Sequence, residues 1–516
     1  MPEDKSNSSQ SQRVGWIFWI LVIFGLGLRL IPLLPPLTRF ITHVPDDAFY
    51  LYRIAANLVD HGFLSFDGVM PTTTARPLYI LMLAGIKIVT GTQELPQIAY
   101  LLGVLADMAT AMLIFRFLRK SEVSAQSAII GMGVYLFSSR TILFVCNGME
   151  TPWAVLSVTA YLNLLISGRD SKRWNVTLAL GRGLLLGAMM LLRLDFVFLA
   201  VPLWLGEAYR GFRRRDYSFT LSGALAGLVI APWALWSWGQ FQSLMPPSGD
   251  ALAMLLGAKF NPDWGGFIGR LELIYDSLSD LFPLILIKYQ PWLGIGLGVV
   301  AFILILKWAD RAHLKRTFRM LFPLLIGAIV LALYFSLVRL FWREWNLVVG
   351  DVLFAILLGI VMERIVRQGA SAIVKVAIIV FMLGSSLNYA ADYWDGVSPG
   401  QAYMYRAALW VRDNTPAGTV VAATNGGILA WYGERVVVDA AGIEDTEAYK
   451  ALRAHELYSY LHSRGVEFLV DPHSWPFEFY RDYWGVNIDE KLETVFYTED
   501  SGEGRSLFAP VVYRTK

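Results

Sequence analysis

The sequence predicts an α-helical polytopic membrane protein of about eleven transmembrane helices, followed by a small α/β domain. Three observations predict it. Apolar runs of about 20 residues, enough to cross a bilayer, recur through the first three-quarters of the chain. Hydrophobic residues make up 55% of the sequence and charged residues 17%, against about a quarter in soluble domains. From Asn388 onward the composition turns mixed polar. The expected division is a membrane module at 1–388, with long loops at 35–95 and 240–289, and an α/β domain at 389–516. The net charge of +2 is too small to suggest nucleic acid as a partner, and a single cysteine, Cys146, excludes an internal disulfide.

Arg13 precedes the first apolar run, Trp16 to Leu34. That run is too long for a signal-peptide core and lacks a small-residue cleavage site, so it reads as a retained anchor. The basic start puts the N-terminus in the cytoplasm and the next loop outside. Within that loop Pro77 to Val89 is apolar but short for a crossing, and is read as an interfacial or re-entrant helix. With that choice the clusters around Arg116–Lys120, Arg169–Arg173, Arg210–Arg215, Lys307–Arg319 and Arg364–Arg367 all fall on the cytoplasmic side. The remaining spans are Pro96 to Leu118, Ala125 to Phe144, Trp153 to Ser167, Val176 to Leu192, Phe196 to Ala208 and Phe219 to Trp238. Trp292 to Leu306, Leu321 to Val338, Leu347 to Met362 and Val374 to Leu387 complete the set. An odd count leaves the C-terminus outside.

The first outer loop opens on Pro45-Asp46-Asp47-Ala48-Phe49-Tyr50. Asp46 can cap a helix and Asp47 suits its positive first turn. Ala48, Leu51, Tyr52, Ala55, Leu58 and Val59 recur at helical spacing and Gly62 stops the run, so an amphipathic helix lies at the membrane surface. The second loop carries one amphipathic piece, Phe267 to Leu281. In the C-terminal region Ala402 to Asp413 and Thr446 to His462 read as helices, and Thr419 to Ala423, Arg435 to Asp439, Glu467 to Val470 and Ser506 to Tyr513 as strands.

The outer turns gather an unusual polar set: His43, Asp46, Asp47, Arg53, Arg76, Arg140 and Asn147, then Glu150, Arg193, Asp195, Arg339, Arg343 and Glu344. Ionisable groups at span ends are costly and tend to line cavities. Arginines grip phosphate oxygens bidentately, and a carboxylate can accept a hydroxyl proton, so the set suits an anionic lipid headgroup plus a base. Phosphate-binding loops, HExxH and Cys/His clusters with metal spacing are absent from the sequence. Asp107 and Arg182 lie mid-span and have no role in this reading.

Asp46-Asp47-Ala48-Phe49 with Tyr52-Arg53, Ala56-Asn57-Leu58 and His61-Gly62-Phe63, then Thr73-Thr74-Ala75-Arg76-Pro77-Leu78-Tyr79, resembles the first external loop of GT-C membrane glycosyltransferases. The similarity continues through Asn147-Gly148-Met149-Glu150-Thr151, Leu192-Arg193-Leu194-Asp195, and Pro232-Trp233 with Phe241 to Pro246. It closes with Gly426 to Tyr432, Arg435 to Asp439 and Gly442. Mycobacterial arabinosyltransferases and their bacterial relatives match best, with protein O-mannosyltransferases and lipid A aminoarabinose transferases more distant. The resemblance implies a polyprenyl-phosphate-linked sugar donor within the bilayer and a hydroxyl acceptor (glycan, lipid or protein) on the outer face. It implies Asp46 as the base, with Asp47 as its partner or a metal ligand. Arg53, Arg76, Arg193 and Arg343 become candidate phosphate contacts. Glu150, Asn147 and His43 become acceptor-side candidates, and Glu150 with Asp47 could hold a divalent cation. A lipid-linked-sugar flippase and a noncatalytic envelope scaffold remain alternative readings.

Overall fold

The computed structural model describes residues 5–91, 94–168, 175–244, 246, 248–252, 254–255, 267–281, 311–339, 342–367, 398, 400–498 and 509–516. Expected spans 292–306 and 374–387 lie outside them. Apolar helices follow the sequence reading closely: Leu95–Lys120, Thr151–Ser167, Val176–Leu192, Ser218–Phe241 and Val349–Arg367. Four helices among the described residues are long and apolar enough to cross a membrane, namely Gly15–Leu33, Leu95–Lys120, Ser218–Phe241 and Thr317–Arg339. Pro77–Thr90, Ala125–Phe137, Thr151–Ser167 and Val176–Leu192 are apolar but shorter. The expected span Ala125 to Phe144 stops early, because the chain turns extended at Ser138 and resumes as a separate turn, Thr141–Val145.

Helices pair along the bundle: Ser218–Phe241 on Val176–Leu192, Leu95–Lys120 on Thr151–Ser167, Val349–Arg367 on Ala125–Phe137, and Arg311–Tyr334 on Val197–Arg214. Small residues allow the closest approach. A Cβ on Gly183 would sit 2.6 Å from the Ser222 carbonyl, so only glycine lets those two backbones meet.

The two charges expected mid-span, Asp107 and Arg182, each have a partner of opposite sign. Arg29 Nε pairs with Asp107 at 2.5 Å, both fully buried, and Tyr135 donates to the other Asp107 oxygen at 2.6 Å. Arg29 also donates to the carbonyls of Gly25 and Leu136, which ties the first helix to the end of Ala125–Phe137. Arg182 pairs with Glu207 at 3.3 Å, and Tyr161 and Ser222 donate to the same carboxylate. A buried charge survives only where paired and hydrogen-bonded.

The C-terminal region carries a five-stranded sheet. Strands β1 (Val420–Ala423), β2 (Val436–Asp439), β3 (Val466–Pro472), β4 (Leu492–Tyr497) and β5 (Pro510–Thr515) lie in the order β2-β1-β3-β5-β4. The first three pair in parallel, and β5 runs antiparallel to β3 and β4. Helix Gly427–Tyr432 connects β1 to β2; Thr446–Ala454 and Leu457–Ser463 connect β2 to β3. The single helix expected from Thr446 to His462 is divided at His455, whose φ of 58° is left-handed.

This sheet region docks on the helix Asp46–His61, which Gly62 closes in a left-handed conformation. Asp46 Oδ1 accepts from Ile428 N at 2.6 Å and Oδ2 from Gly427 N at 3.1 Å, so the carboxylate caps a helix about 380 residues downstream. Gly426 N donates to Tyr50 Oη at 2.7 Å. A second tie runs through Arg464, which meets Asp67 at 2.5 Å and Asp445 at 3.4 Å, while Tyr460 donates to Asp445.

Burial, partly offset by the two amide bonds, raises Asp46 to about 7. Burial likewise raises Asp439 and Asp471 to about 7, at the carboxyl ends of β2 and β3. Between about pH 4 and 7 the folded chain therefore holds protons that the unfolded chain has released, so stability is highest at the acid end and falls as pH rises through 7. The melting temperature of the full chain in detergent is expected to decline from pH 5 to 8. Asp46→Asn should flatten part of that decline; an unchanged slope would remove Asp46 from the account.

Candidate active site

Three turns converge beside the Asp46–His61 helix. The first is the stretch before Pro77, the second is Asn147 to Glu150, and the third is Arg193 to Asp195. Pro77 starts its helix, where a missing amide costs nothing, and leaves Arg76 just outside it. Pro152 does the same after Glu150. Leu194 N donates to the Ala75 carbonyl at 3.1 Å, which stitches the first turn to the third.

Gly148 fixes the second turn. Its φ is +75°, and both Tyr52 and Tyr79 donate to its carbonyl, at 2.6 and 2.7 Å. A Cβ there would lie 2.5 Å from Tyr52 Oη, so Gly148→Ala combines left-handed strain with a collision. That variant is expected to lose about 1–3 kcal/mol of stability and to move Glu150, read as a lower melting temperature together with lower activity.

Glu150 is fully buried between two arginines. Arg193 Nη1 donates to Oε1 at 2.9 Å, and Arg76 Nε lies 2.9 Å from Oε2, out of line for a hydrogen bond. Arg193 spends its other nitrogens on Asp195, Nε at 3.1 Å and Nη2 at 2.8 Å. Arg193 is therefore committed. Arg76, touching Glu150 only through Nε, keeps both Nη groups without a hydrogen bond among the described residues, and its side chain is 21% exposed. Asp47, half-buried, has neither a hydrogen bond nor an ion pair among them, and it lies within electrostatic reach of Arg76 and Glu444. A carboxylate with no bond among the described residues and a guanidinium anchored through Nε alone, its Nη groups unbonded, thus share a site.

A family model described as a domain of unknown function, DUF8728, matches residues 393–505. No curated protein matches in sequence. Among solved structures, ArnT from Cupriavidus metallidurans bound to undecaprenyl phosphate aligns at TM-score 0.58 with 14% identity, covering 97% of this chain and 98% of that one. Its apo form aligns at TM-score 0.56, also at 14% identity, over 98% of both chains. The Archaeoglobus fulgidus oligosaccharyltransferase tethered to an acceptor peptide aligns at TM-score 0.54 and 12% identity, covering 94% of this chain and 72% of that one. The chain shares its fold with these proteins, the architecture that the resemblance to GT-C enzymes implied. At these identities the likeness concerns architecture, and the chemistry rests on the residues.

Within this fold the expected site residues separate. Asp47, Arg76, Glu150 and Arg193 are brought together. Asp46, expected as the base, has both oxygens on backbone amides and holds the sheet region instead. Arg53 feels Asp60 and Asp67 rather than these four, and burial pushes its guanidinium below the usual range. Arg343 stacks over Trp345 at 5.8 Å beside a turn that packs on Thr141–Val145. Asn147 Oδ1 accepts from Met149 N and shapes the turn, and the His43 ring donates to the Arg39 carbonyl. A cation on Asp47 and Glu150 does not fit, because two arginines face the Glu150 oxygens. Among the described residues no three His, Cys, Asp or Glu side chains could hold a metal.

The sequence reading missed Glu444. It is buried at 8% exposure in the turn after β2, Thr72 donates to its Oε2 at 3.1 Å, and it feels both Arg76 and Asp47. The available signal was its place just past the carboxyl end of a parallel strand, where α/β sheets put functional loops.

Proposed function

We propose that this chain is a membrane glycosyltransferase that moves a sugar from a polyprenyl-phosphate carrier to a hydroxyl of an extracytoplasmic acceptor. The observation that carries the reading is an Asp47 carboxylate with no bond among the described residues, within electrostatic reach of an Arg76 guanidinium that Glu150 holds at Nε and whose Nη groups remain unbonded. On this reading the N-terminus is cytoplasmic, and the Asp46–His61 helix and the sheet region stand outside the bilayer. The donor reaches the site from within the membrane, as the undecaprenyl phosphate bound to ArnT suggests for a protein of this fold.

In the reaction Asp47 takes the proton of the acceptor hydroxyl as its oxygen attacks the anomeric carbon. The carbon–oxygen bond to phosphate breaks, and the polyprenyl phosphate leaves with the electron pair. Arg76 Nη groups hold the phosphate oxygens as their charge grows, and the Glu150–Arg193–Asp195 chain fixes the direction of Arg76. Phosphate is a good leaving group, so orientation, deprotonation and charge neutralisation are what the protein supplies.

The test is transfer by purified protein in liposomes, assayed against a panel of polyprenyl-phosphate sugars with hydroxyl acceptors. Labelled product from at least one donor is expected. Movement of intact donor across the bilayer with no product would support a flippase and overturn the reading. Arg76→Ala is expected to raise the donor KM or lower kcat by about 10²-fold, and Arg76→Lys to recover only part, because an ammonium lacks the planar fork.

A further inference from the structure

We infer that Glu444 is the acceptor-side carboxyl of this site, orienting a neutral, hydroxyl-rich acceptor next to Asp47. This rests on the proposed transferase reading and adds the class of acceptor to it. The sheet region is thereby a contributor of substrate contacts and more than a cover.

Glu444 hangs from a rigid turn. Its amide donates to Asp439 Oδ2 at 2.6 Å, and Ala441 N donates to Asp439 Oδ1 at 3.1 Å, so the loop after β2 is pinned at its start. Next in sequence, Asp445 caps Thr446–Ala454 by accepting from Glu447 N and Ala448 N, and it is held by Tyr460 and Arg464. Arg464 in turn reaches Asp67 of the first outer loop. These bonds press Glu444 against Thr72, four residues before Arg76. Thr72 takes one carboxyl oxygen; the other, Oε1, has no hydrogen bond among the described residues.

The charge balance states what the acceptor can be. Four carboxyls, those of Asp47, Glu150, Asp195 and Glu444, lie around the two guanidinium groups of Arg76 and Arg193. Even with Glu444 protonated the three remaining carboxylates outnumber the two arginines, so an acceptor bearing its own negative charge would be repelled. Burial, with Asp439 next, raises Glu444 to about 8, so at neutral pH it carries a proton. A neutral carboxyl both donates and accepts, which matches a sugar hydroxyl.

The experiment measures binding and transfer separately on the full-length protein in nanodiscs. Saturation-transfer NMR is run with neutral methyl glycosides and their phosphorylated counterparts, on wild type, Glu444→Ala and Glu444→Gln. Neutral glycosides are expected to bind in preference to phosphorylated ones. Glu444→Ala should weaken them about tenfold, the worth of one good hydrogen bond, and Glu444→Gln should restore most of the loss. In transfer assays the acceptor KM should rise in Glu444→Ala with the donor KM unchanged. Unchanged glycoside binding in Glu444→Ala, or a preference for phosphorylated glycosides, overturns the inference. Glu444-dependent glycoside binding without sugar transfer by the wild type supports the inference and overturns the transferase reading.

Discussion

Asp47→Asn is expected to lower sugar transfer by about 10²–10⁴-fold, the usual contribution of a general base. Asparagine keeps the size and helix position of the side chain but cannot take the acceptor proton. Because Asp47 bonds to none of the described residues, its loss should leave the unfolding free energy within about 0.5 kcal/mol of wild type. Asp46→Asn should behave in the opposite way. Its oxygens hold Gly427 N and Ile428 N, so the first effect is on docking of the sheet region, read as faster limited proteolysis between that region and the helices. Activity should then fall only as far as docking does. Full transfer by Asp47→Asn would exclude it as the base.

Glu150→Ala carries the largest expected cost in stability. Removing a fully buried carboxylate leaves Arg76 and Arg193 facing each other, with Asp195 as the sole remaining acid against Arg193. Stripping one partner from a buried ion pair costs about 3–5 kcal/mol. The variant is therefore expected to unfold at markedly lower temperature, or to fail to accumulate, and to lose transfer with it. The double variant Glu150→Leu with Arg193→Met removes charges of both signs and should be more stable than Glu150→Leu alone. Thermal unfolding of the four proteins of that cycle gives the coupling directly; additive costs would mean that Glu150 and Arg193 do not act as a pair.

Much of the architecture was legible because it is locally encoded. Asp46 to Gly62 shows helical spacing with a cap and a stop, and the helix runs Asp46–His61. Phe267 to Leu281 shows the same period and is a helix over those residues. The β1, β2 and β3 strands are short apolar runs between turn residues, which reads clearly when both faces are covered. Strand β4 was missed because it has one buried residue at its start and little alternation after it. The division at His455 was missed because a left-handed histidine leaves no periodic trace.

The site divides along the same line. Composition and the apolar runs determined, from the sequence alone, that this is a membrane-embedded helical protein; of its expected polar set only Asp47, Arg76, Glu150, Arg193 and Asp195 come together. Which carboxylate stays free was decided only by packing. Asp46 and Asp47 are neighbours with the same chemistry, and the difference between them is a pair of amides from Gly427 and Ile428. Arg193 and Arg76 differ because Asp195 sits beside one and not the other. A side chain's reactivity is set by which of its hydrogen-bonding atoms remain unspent, and for Asp46 that depended on residues hundreds of positions away.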